Sequence, residues 1–241
     1  MNKRNPFEFK NFTIHQEKVT LPVTTDACLF GAYCHFNNPK RILDLGTGTG
    51  LLALMMQQKY PTSQVLGIEQ HQETAIQAQN NILENNCQSN IQIVQADMFT
   101  YQFESTFDAI ISNPPFFVNQ LESDETERNQ ARHFQNYNFT DFFNLINSLL
   151  DNSGTAWILL PYSALNDIYK YLNHTDLHVH TIIEISPKTD KNAHLIFLQF
   201  AKTIPLQIEK KSIFIRNKQN KFTPECYKIL HPFYKNEALN N

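Results

Sequence analysis

Arg41-Ile42-Leu43-Asp44-Leu45-Gly46-Thr47-Gly48-Thr49-Gly50 is the stretch whose reading decides the fold. Ile42, Leu43 and Leu45 form a short apolar run that reads as a buried strand carrying one acid, Asp44. Gly46, Gly48 and Gly50 follow at alternate positions. A helical pattern begins at once with Leu51, Leu54 and Met55. A strand leading through a glycine-rich turn to a helix start is how α/β folds bind nucleotides. Glycine lets the backbone come close to the ligand, and the free N–H groups at the positive end of the helix dipole face it. The dinucleotide fingerprint places its third glycine one position later, where this chain has Leu51. On the glycines alone, a nucleotide-type ligand competes with a merely tight turn.

Working outward, the chain alternates strand and helix. Gln64 to Glu69 is a second apolar strand, and Glu69 ends it about 20 residues beyond the glycine turn, where an acid accepts hydrogen bonds from ribose hydroxyls. Residues 72–86 have helical spacing, with Ala75, Ile76, Ile82 and Leu83 on one face. Ile91 to Ala96 is a third strand ending at Asp97, which either reads an adenine amino group or caps the next turn. Ala109, Ile110 and Ile111 make a fourth strand, with Asn113-Pro114-Pro115-Phe116 at its carboxyl end. Ligands of open parallel sheets bind beyond those ends, so this tetrad faces the glycine turn. The prolines fix the backbone and remove donors. The Asn113 amide oxygen and the Pro114 carbonyl are then expected to accept both hydrogens of a planar amino group, with Phe116 stacked on its ring. An isolated Asn-Pro-Pro is usually a turn; after this strand it reads as a site.

Upstream, Phe7, Phe9, Phe12 and Ile14 alternate with polar residues, and Val19, Leu21 and Val23 repeat the alternation, which suggests a hairpin over residues 7–23. Thr24, Thr25 and Asp26 are N-cap candidates for a helix through Leu29, Phe30 and Tyr33. Because that helix leads into the glycine strand, Thr25 and Asp26 either approach the cofactor or only help to cap the sheet edge.

Downstream, residues 118–136 are polar and mixed in charge and read as a loop at the mouth of the site, in which Arg132 and His133 either contact phosphate or base or are simply solvated. A helix through Phe139 to Leu150 follows, then a strand Ala156 to Leu160 and a helix through Tyr171. Stretches 177–185 and 193–201 read as a closing antiparallel pair at the sheet edge. From Lys202 to Lys235 the only acids are Glu209 and Glu225, so the cations there, Lys210 and Lys211 among them, form either an RNA-binding cluster or a solvated face.

Composition narrows the class. The chain has 241 residues, 41% hydrophobic and 18% charged, with a net charge of −3, so a case for nucleic acid rests on local patches. No apolar run reaches the ~18 residues of a membrane span, and the opening residues lack the apolar region of a signal peptide. Four scattered cysteines without a Cys-x-x-Cys pair, and no His/Cys cluster of metal spacing, suggest reduced thiols in a cytoplasmic protein without a metal.

Asp44 to Gly50 together with Asn113 to Phe116 resembles motifs I and IV of the S-adenosylmethionine (AdoMet)-dependent amino-methyltransferases. The opening Phe7-Glu8-Phe9-Lys10-Asn11-Phe12, Thr24-Thr25-Asp26 with Gly31-Ala32, Ala131-Arg132-His133 and Phe222-Thr223-Pro224-Glu225-Cys226-Tyr227 narrow the likeness. They resemble the bacterial tRNA1(Val) (adenine-37-N6)-methyltransferases over nearly the whole chain. Phe116 departs from the Tyr common in adenine-N6 enzymes and is also met in guanine-N2 enzymes.

The resemblance implies an α/β, Rossmann-like class I methyltransferase fold, a mostly parallel seven-stranded sheet with an antiparallel edge strand and helices on both faces. It implies an N-terminal strand/helix cap over 1–40, a transferase domain over 41–202 and a basic C-terminal extension, 203–241, packed on that domain. The expected partner is tRNA, and the expected state a monomer. AdoMet binding is assigned to Thr25, Asp26, Asp44, Gly46, Thr47, Gly48, Gly50, Glu69, Asp97 and Asn113. Chemistry is assigned to Asn113, Pro114, Pro115 and Phe116, and substrate contact to Arg132, His133, Lys210 and Lys211. The rivals are methylation of guanine N2 or of a protein glutamine amide, the latter usually needing a separate helical N-terminal domain. A dehydrogenase or nucleotide-binding module is the third, disfavoured by Leu51.

Overall fold

The computed structural model of the protein describes residues 5–17, 22–114 and 139–240. Short strands β1 (Phe7–Glu8) and β2 (Thr13–Ile14) precede helix α1 (Thr25–Tyr33). Then come β3 (Arg41–Leu45), α2 (Leu51–Lys59), β4 (Gln64–Glu69), α3 (Gln72–Glu84), β5 (Ile91–Gln95) and β6 (Phe107–Ser112). After residue 138 the chain forms α4 (Phe139–Leu149), β7 (Leu150–Pro161), a 3-10 turn (Tyr162–Asn166) and α5 (Ile168–Tyr171). It ends with β8 (His178–Lys188), β9 (Leu195–Ala201), β10 (Glu209–Arg216), α6 (Pro224–Leu230) and α7 (Asn236–Asn240).

Ile42 and Asp44 point to one face of β3, Leu43 and Leu45 to the other, and all four are buried. A strand with no polar-out alternation is one covered on both faces, as in a parallel α/β sheet. One core joins the sheet to α1, α2, α3, α6 and the N-terminal segment; the other joins it to α4 and α5. The order is β10-β8-β9-β7-β6-β3-β4-β5, and β9 alone runs against its neighbours. The chain works outward from β3 through β4 to β5 and returns to β6 on the other side of β3. That reversal opens a crevice beyond the carboxyl ends of β3 and β6.

The expected strands are present, with two differences. The antiparallel strand is β9, and it is not the edge, because β8 and then β10 lie outside it. β10 makes the sheet eight-stranded. Its first four residues are all exposed, so its apolar alternation starts only at Ile213; charged residues are a usual way to protect an edge. The second difference is at the start. Phe7 to Ile14 is not one strand but two short ones paired with each other, Phe7 opposite Ile14. The Phe9 N–H donates to the Phe12 carbonyl at 2.9 Å, and the two rings stack at 4.3 Å beside Tyr234. The phenylalanines are drawn into the core under the C-terminal segment, which reverses the chain early. Residues 18–21 of the expected hairpin lie outside the described residues.

Candidate active site

The glycine turn is built as its residue types require. Gly46, Gly48 and Gly50 have φ of 74°, 57° and 83°, the left-handed region that L side chains resist. The N–H groups of Gly46 and Thr47 both donate to the Ile68 carbonyl, at 3.0 and 2.9 Å, and Gly50 N–H closes on Thr47 at 2.9 Å. Helix α2 starts directly afterwards, with the Leu54 N–H on the Gly50 carbonyl. A Cβ on Gly50 would touch Ile82 and Ala78 of α3, whereas one on Gly48 would meet nothing within 4 Å. The turn is therefore packed behind and open in front.

Three carboxylates stand at the carboxyl ends of β3, β4 and β5. Asp44 is fully buried; its Oδ2 accepts the Thr47 hydroxyl at 2.6 Å, while its Oδ1 has no partner among the described residues. Burial pushes its pKa up to about 7, against the pull of the Thr47 hydrogen bond. Glu69 is nearly buried, with Oε2 accepting the Gly48 N–H at 3.1 Å and Oε1 the His71 N–H at 2.9 Å. Burial raises this acid as well, opposed by those backbone donors. Each oxygen of Glu69 keeps acceptor capacity for a hydroxyl. Asp97 is half-buried and caps its own turn through the Phe99 N–H at 2.9 Å. An orphaned buried oxygen beside an open glycine cradle, with two further carboxylates along the strand ends, fits a nucleoside carrying an amino group.

Across the crevice, the Ser112 hydroxyl donates to the Leu45 carbonyl at 2.6 Å and ties the end of β6 to that of β3. Asn113 follows directly, half-buried, with Pro114 buried. The structure thus brings Asn113 and Pro114 to the same end of adjacent strands as Asp44 and the glycine turn. Pro115, Phe116, Arg132 and His133 lie outside the described residues.

The remaining candidates are placed differently. Thr24, not Thr25, caps α1, its hydroxyl accepting the Ala27 N–H at 3.2 Å. Thr25 lies beside the Tyr234 hydroxyl. Asp26 Oδ1 is 3.3 Å from Nε2 of His194, whose Nδ1 is 3.0 Å from the Ile185 carbonyl. Asp26 raises the His194 pKa. That pair pins the start of α1 to the β8–β9 turn at the carboxyl end of the sheet. Lys210 and Lys211 are neighbours on a strand and so point to opposite faces. Lys211 is engaged, with Nζ 2.8 Å from Glu225 and above the Tyr33 ring. Lys210 is exposed on the other face.

Three residues were not singled out from the sequence. Asn81, fully buried, donates to the carbonyls of Thr49 (2.8 Å) and His15 (2.9 Å) and accepts the His15 N–H (2.9 Å). Asn85, one helical turn on, exchanges two hydrogen bonds with Thr13 at 2.9 and 2.8 Å. Helix α3 thereby clips the N-terminal segment beside the glycine turn. The signal was two asparagines four apart on a helix, easily read as solvated. Gly67 is the third: a Cβ there would lie 2.6 Å from Ile93 Cδ1 and 3.0 Å from Thr47 Oγ1. A glycine inside an apolar strand marks such a close approach.

Residues 32–135 match the family described as the Methyltransferase small domain. A protein of Mannheimia succiniciproducens named tRNA1(Val) (adenine(37)-N6)-methyltransferase is 32% identical over 233 residues, covering 95% of this chain and 94% of its own. A protein of Histophilus somni with the same name is 31% identical over 239 residues, covering 98% of this chain and 100% of its own. Among solved structures, a methyltransferase from Pyrococcus furiosus superposes with a TM-score of 0.60 at 21% identity, covering 81% of this chain and 91% of that one. A predicted O-methyltransferase from Agrobacterium tumefaciens also gives 0.60, at 15% identity, covering 85% and 95%. At these identities the two structures speak for the fold.

Proposed function

The chain belongs to the tRNA1(Val) (adenine(37)-N6)-methyltransferase family, and on that premise we propose that it methylates the N6 amine of the adenine next to the anticodon of that tRNA, with AdoMet as donor. The observation that carries the reading is the meeting, at one switch point, of the open glycine cradle, the orphaned Asp44 oxygen and the Asn113-Pro114 pair.

AdoMet supplies an electrophilic methyl group on a sulfonium. In our reading Asp44 Oδ1 takes the amino group of the donor's methionine end, Glu69 its ribose hydroxyls and Asp97 its adenine amine. Gly46, Thr47, Gly48 and Gly50 line its path. Thr25 and Asp26 shape the rim through Tyr234 and His194. An exocyclic amine is a weak nucleophile because its lone pair is delocalised into the ring. Asn113 Oδ1 and the Pro114 carbonyl accept its two hydrogens, favour a pyramidal nitrogen and aim the lone pair at the methyl group. This is positioning rather than base catalysis, and no proton need leave before transfer. Pro115 is read as part of the same tetrad, with Phe116 as the stacking surface for a base turned out of its RNA stack. Arg132 and His133 are read as contacts to phosphate or base of the RNA. We read residues 41–202 as the transferase unit, 1–40 as its cap and 203–241 as an extension packed on it. The protein acts in the cytoplasm as a monomer, without a metal ion.

The test is incubation with bulk RNA and labelled AdoMet, followed by nucleoside mass spectrometry. Label in N6-methyladenosine of tRNA1(Val) is expected. Label in N2-methylguanosine would transfer the assignment to guanine, and label only in protein glutamine would overturn the RNA reading.

A further inference from the structure

Two hairpin tips stand side by side at the carboxyl end of the sheet. One is the turn after β8, closed by the Lys191 N–H on the Lys188 carbonyl at 3.1 Å. The other follows β10, where the Asn217 N–H donates to the Lys221 carbonyl at 2.8 Å and Asn220 adopts a φ of 64°. Asn217 Oδ1 also accepts the N–H groups of Gln219 and Lys221, each at 3.0 Å, so this turn is held from inside. The Thr189 N–H donates to the Arg216 carbonyl at 3.0 Å and joins the two tips.

The tips are cationic. Lys191, Lys218 and Lys221 are exposed, Lys188 is half-exposed, and Asp190 is the one acid in either turn. None of these four lysines has a carboxylate within ion-pair distance among the described residues, in contrast to Lys211 and Lys235, which pair with Glu225 and Glu8. Arg216 lies over the Phe222 ring, 4.4 Å from its centroid, with its guanidinium on the Asn220 carbonyl. Lys188 and Arg216 are also register partners on adjacent strands.

Their place relative to the site follows from the register. Ser112 is level with Ile158, Leu198, Ile182 and Lys210 across the sheet, so Asn113 is level with Lys211. Arg216 and Lys188 lie beyond that level by five residues, about 16 Å at the usual rise of a strand. The tips therefore project beyond the carboxyl end of the sheet, the end that also carries the glycine turn and Asn113.

We propose that these paired tips, through Lys188, Lys191, Lys218 and Lys221, are the surface on which the phosphate backbone of the substrate RNA lands. The inference rests on the RNA reading above and adds to it where the RNA lies. On a chain of net charge −3, this local field is what draws a polyanion to the correct end of the sheet. Lys210 and Lys211, on opposite faces of β10, do not form such a patch.

The test compares two variants of equal charge in the full-length protein. Lys191→Gln/Lys218→Gln removes one lysine from each tip. Lys40→Gln/Lys202→Gln removes two from the amino end of the sheet. Binding of a tRNA transcript is measured over a range of salt, with AdoMet titrated by calorimetry as a check of folding. The tip variant is expected to lower the slope of log affinity against log salt by about 1.5, since each lost phosphate contact is worth ~0.7 to ~0.9. The control should keep the wild-type slope, and AdoMet affinity should hold in both. Equal slopes in the two variants would overturn the inference. If wild-type protein methylates tRNA and the tip slope is unchanged, this inference alone fails. Wild-type protein that neither binds nor methylates RNA would sink the RNA reading with it.

Discussion

Asn81 Nδ2 lies 2.8 Å from the Thr49 carbonyl oxygen, so a buried side chain of α3 holds the glycine turn from behind. The same amide also binds both backbone groups of His15. Asn81→Ala leaves three backbone groups without their partner. Each orphaned buried group costs about 1 to 3 kcal/mol, and partial hydration lowers the total. A loss of roughly 2 to 4 kcal/mol in urea unfolding is expected, with weaker AdoMet binding in the protein that remains folded. Full AdoMet affinity in the variant would show that the turn does not need this support.

Asp44 gives a pH dependence with a definite sign. Its pKa is raised from 3.8 to about 7 by burial, so the folded state holds an extra proton across that window. Stability contributed by the protonated acid is present below pH 3.8 and is lost as the pH rises through about 7. Asp44→Asn should therefore unfold at higher temperature than wild type at pH 8, and the gap should close towards pH 4. AdoMet affinity should tighten with pH in wild type between about pH 6 and pH 7.5, because a cationic amino group selects the carboxylate. In Asp44→Asn it should be weaker and flat. Calorimetry at three pH values decides the point.

Gly48→Val should keep the fold and lose AdoMet. The added side chain meets no protein atom near Cβ, so it enters the open cleft. The φ of 57° adds strain of about 1 to 2 kcal/mol, small enough for a folded protein by circular dichroism. Unchanged calorimetric affinity would show that the cleft in front of Gly48 is not the cofactor's.

Asn113→Ala separates chemistry from binding. AdoMet affinity should be retained while the single-turnover rate on a tRNA transcript falls about ten- to a thousandfold, the effect of one positioned hydrogen bond worth roughly 1.4 to 4 kcal/mol. Phe116→Ala should instead weaken substrate by about 1 to 3 kcal/mol of lost stacking, and Phe116→Tyr should be close to neutral. A wild-type rate in Asn113→Ala would leave the tetrad a structural turn.

Much of the site was legible because its parts are local. Three alternate glycines demand three left-handed residues, and Asp44, Glu69, Asp97 and Asn113 each sit at or just past the end of an apolar strand. The position of a residue at a strand end, in an α/β alternation, is a matter of counting along the chain. Burial on both faces of β3, β4 and β6 is the pattern of strands in a parallel α/β sheet covered by helices.

Other features depend on partners far apart in sequence. Thr13 meets Asn85, and Asn81 joins His15 to Thr49, because α3 crosses behind the turn. Asp26 meets His194 only once β9 has been inserted between β7 and β8. β10 carries too few apolar residues to announce itself, and it joins the sheet because β8 offers an unpaired edge with matching register. The local sequence determined the chemistry-bearing ends of the strands. Long-range packing decided which lysines are neutralised and which are left to face solvent, since charge pairing depends on distances that the linear order of residues does not contain.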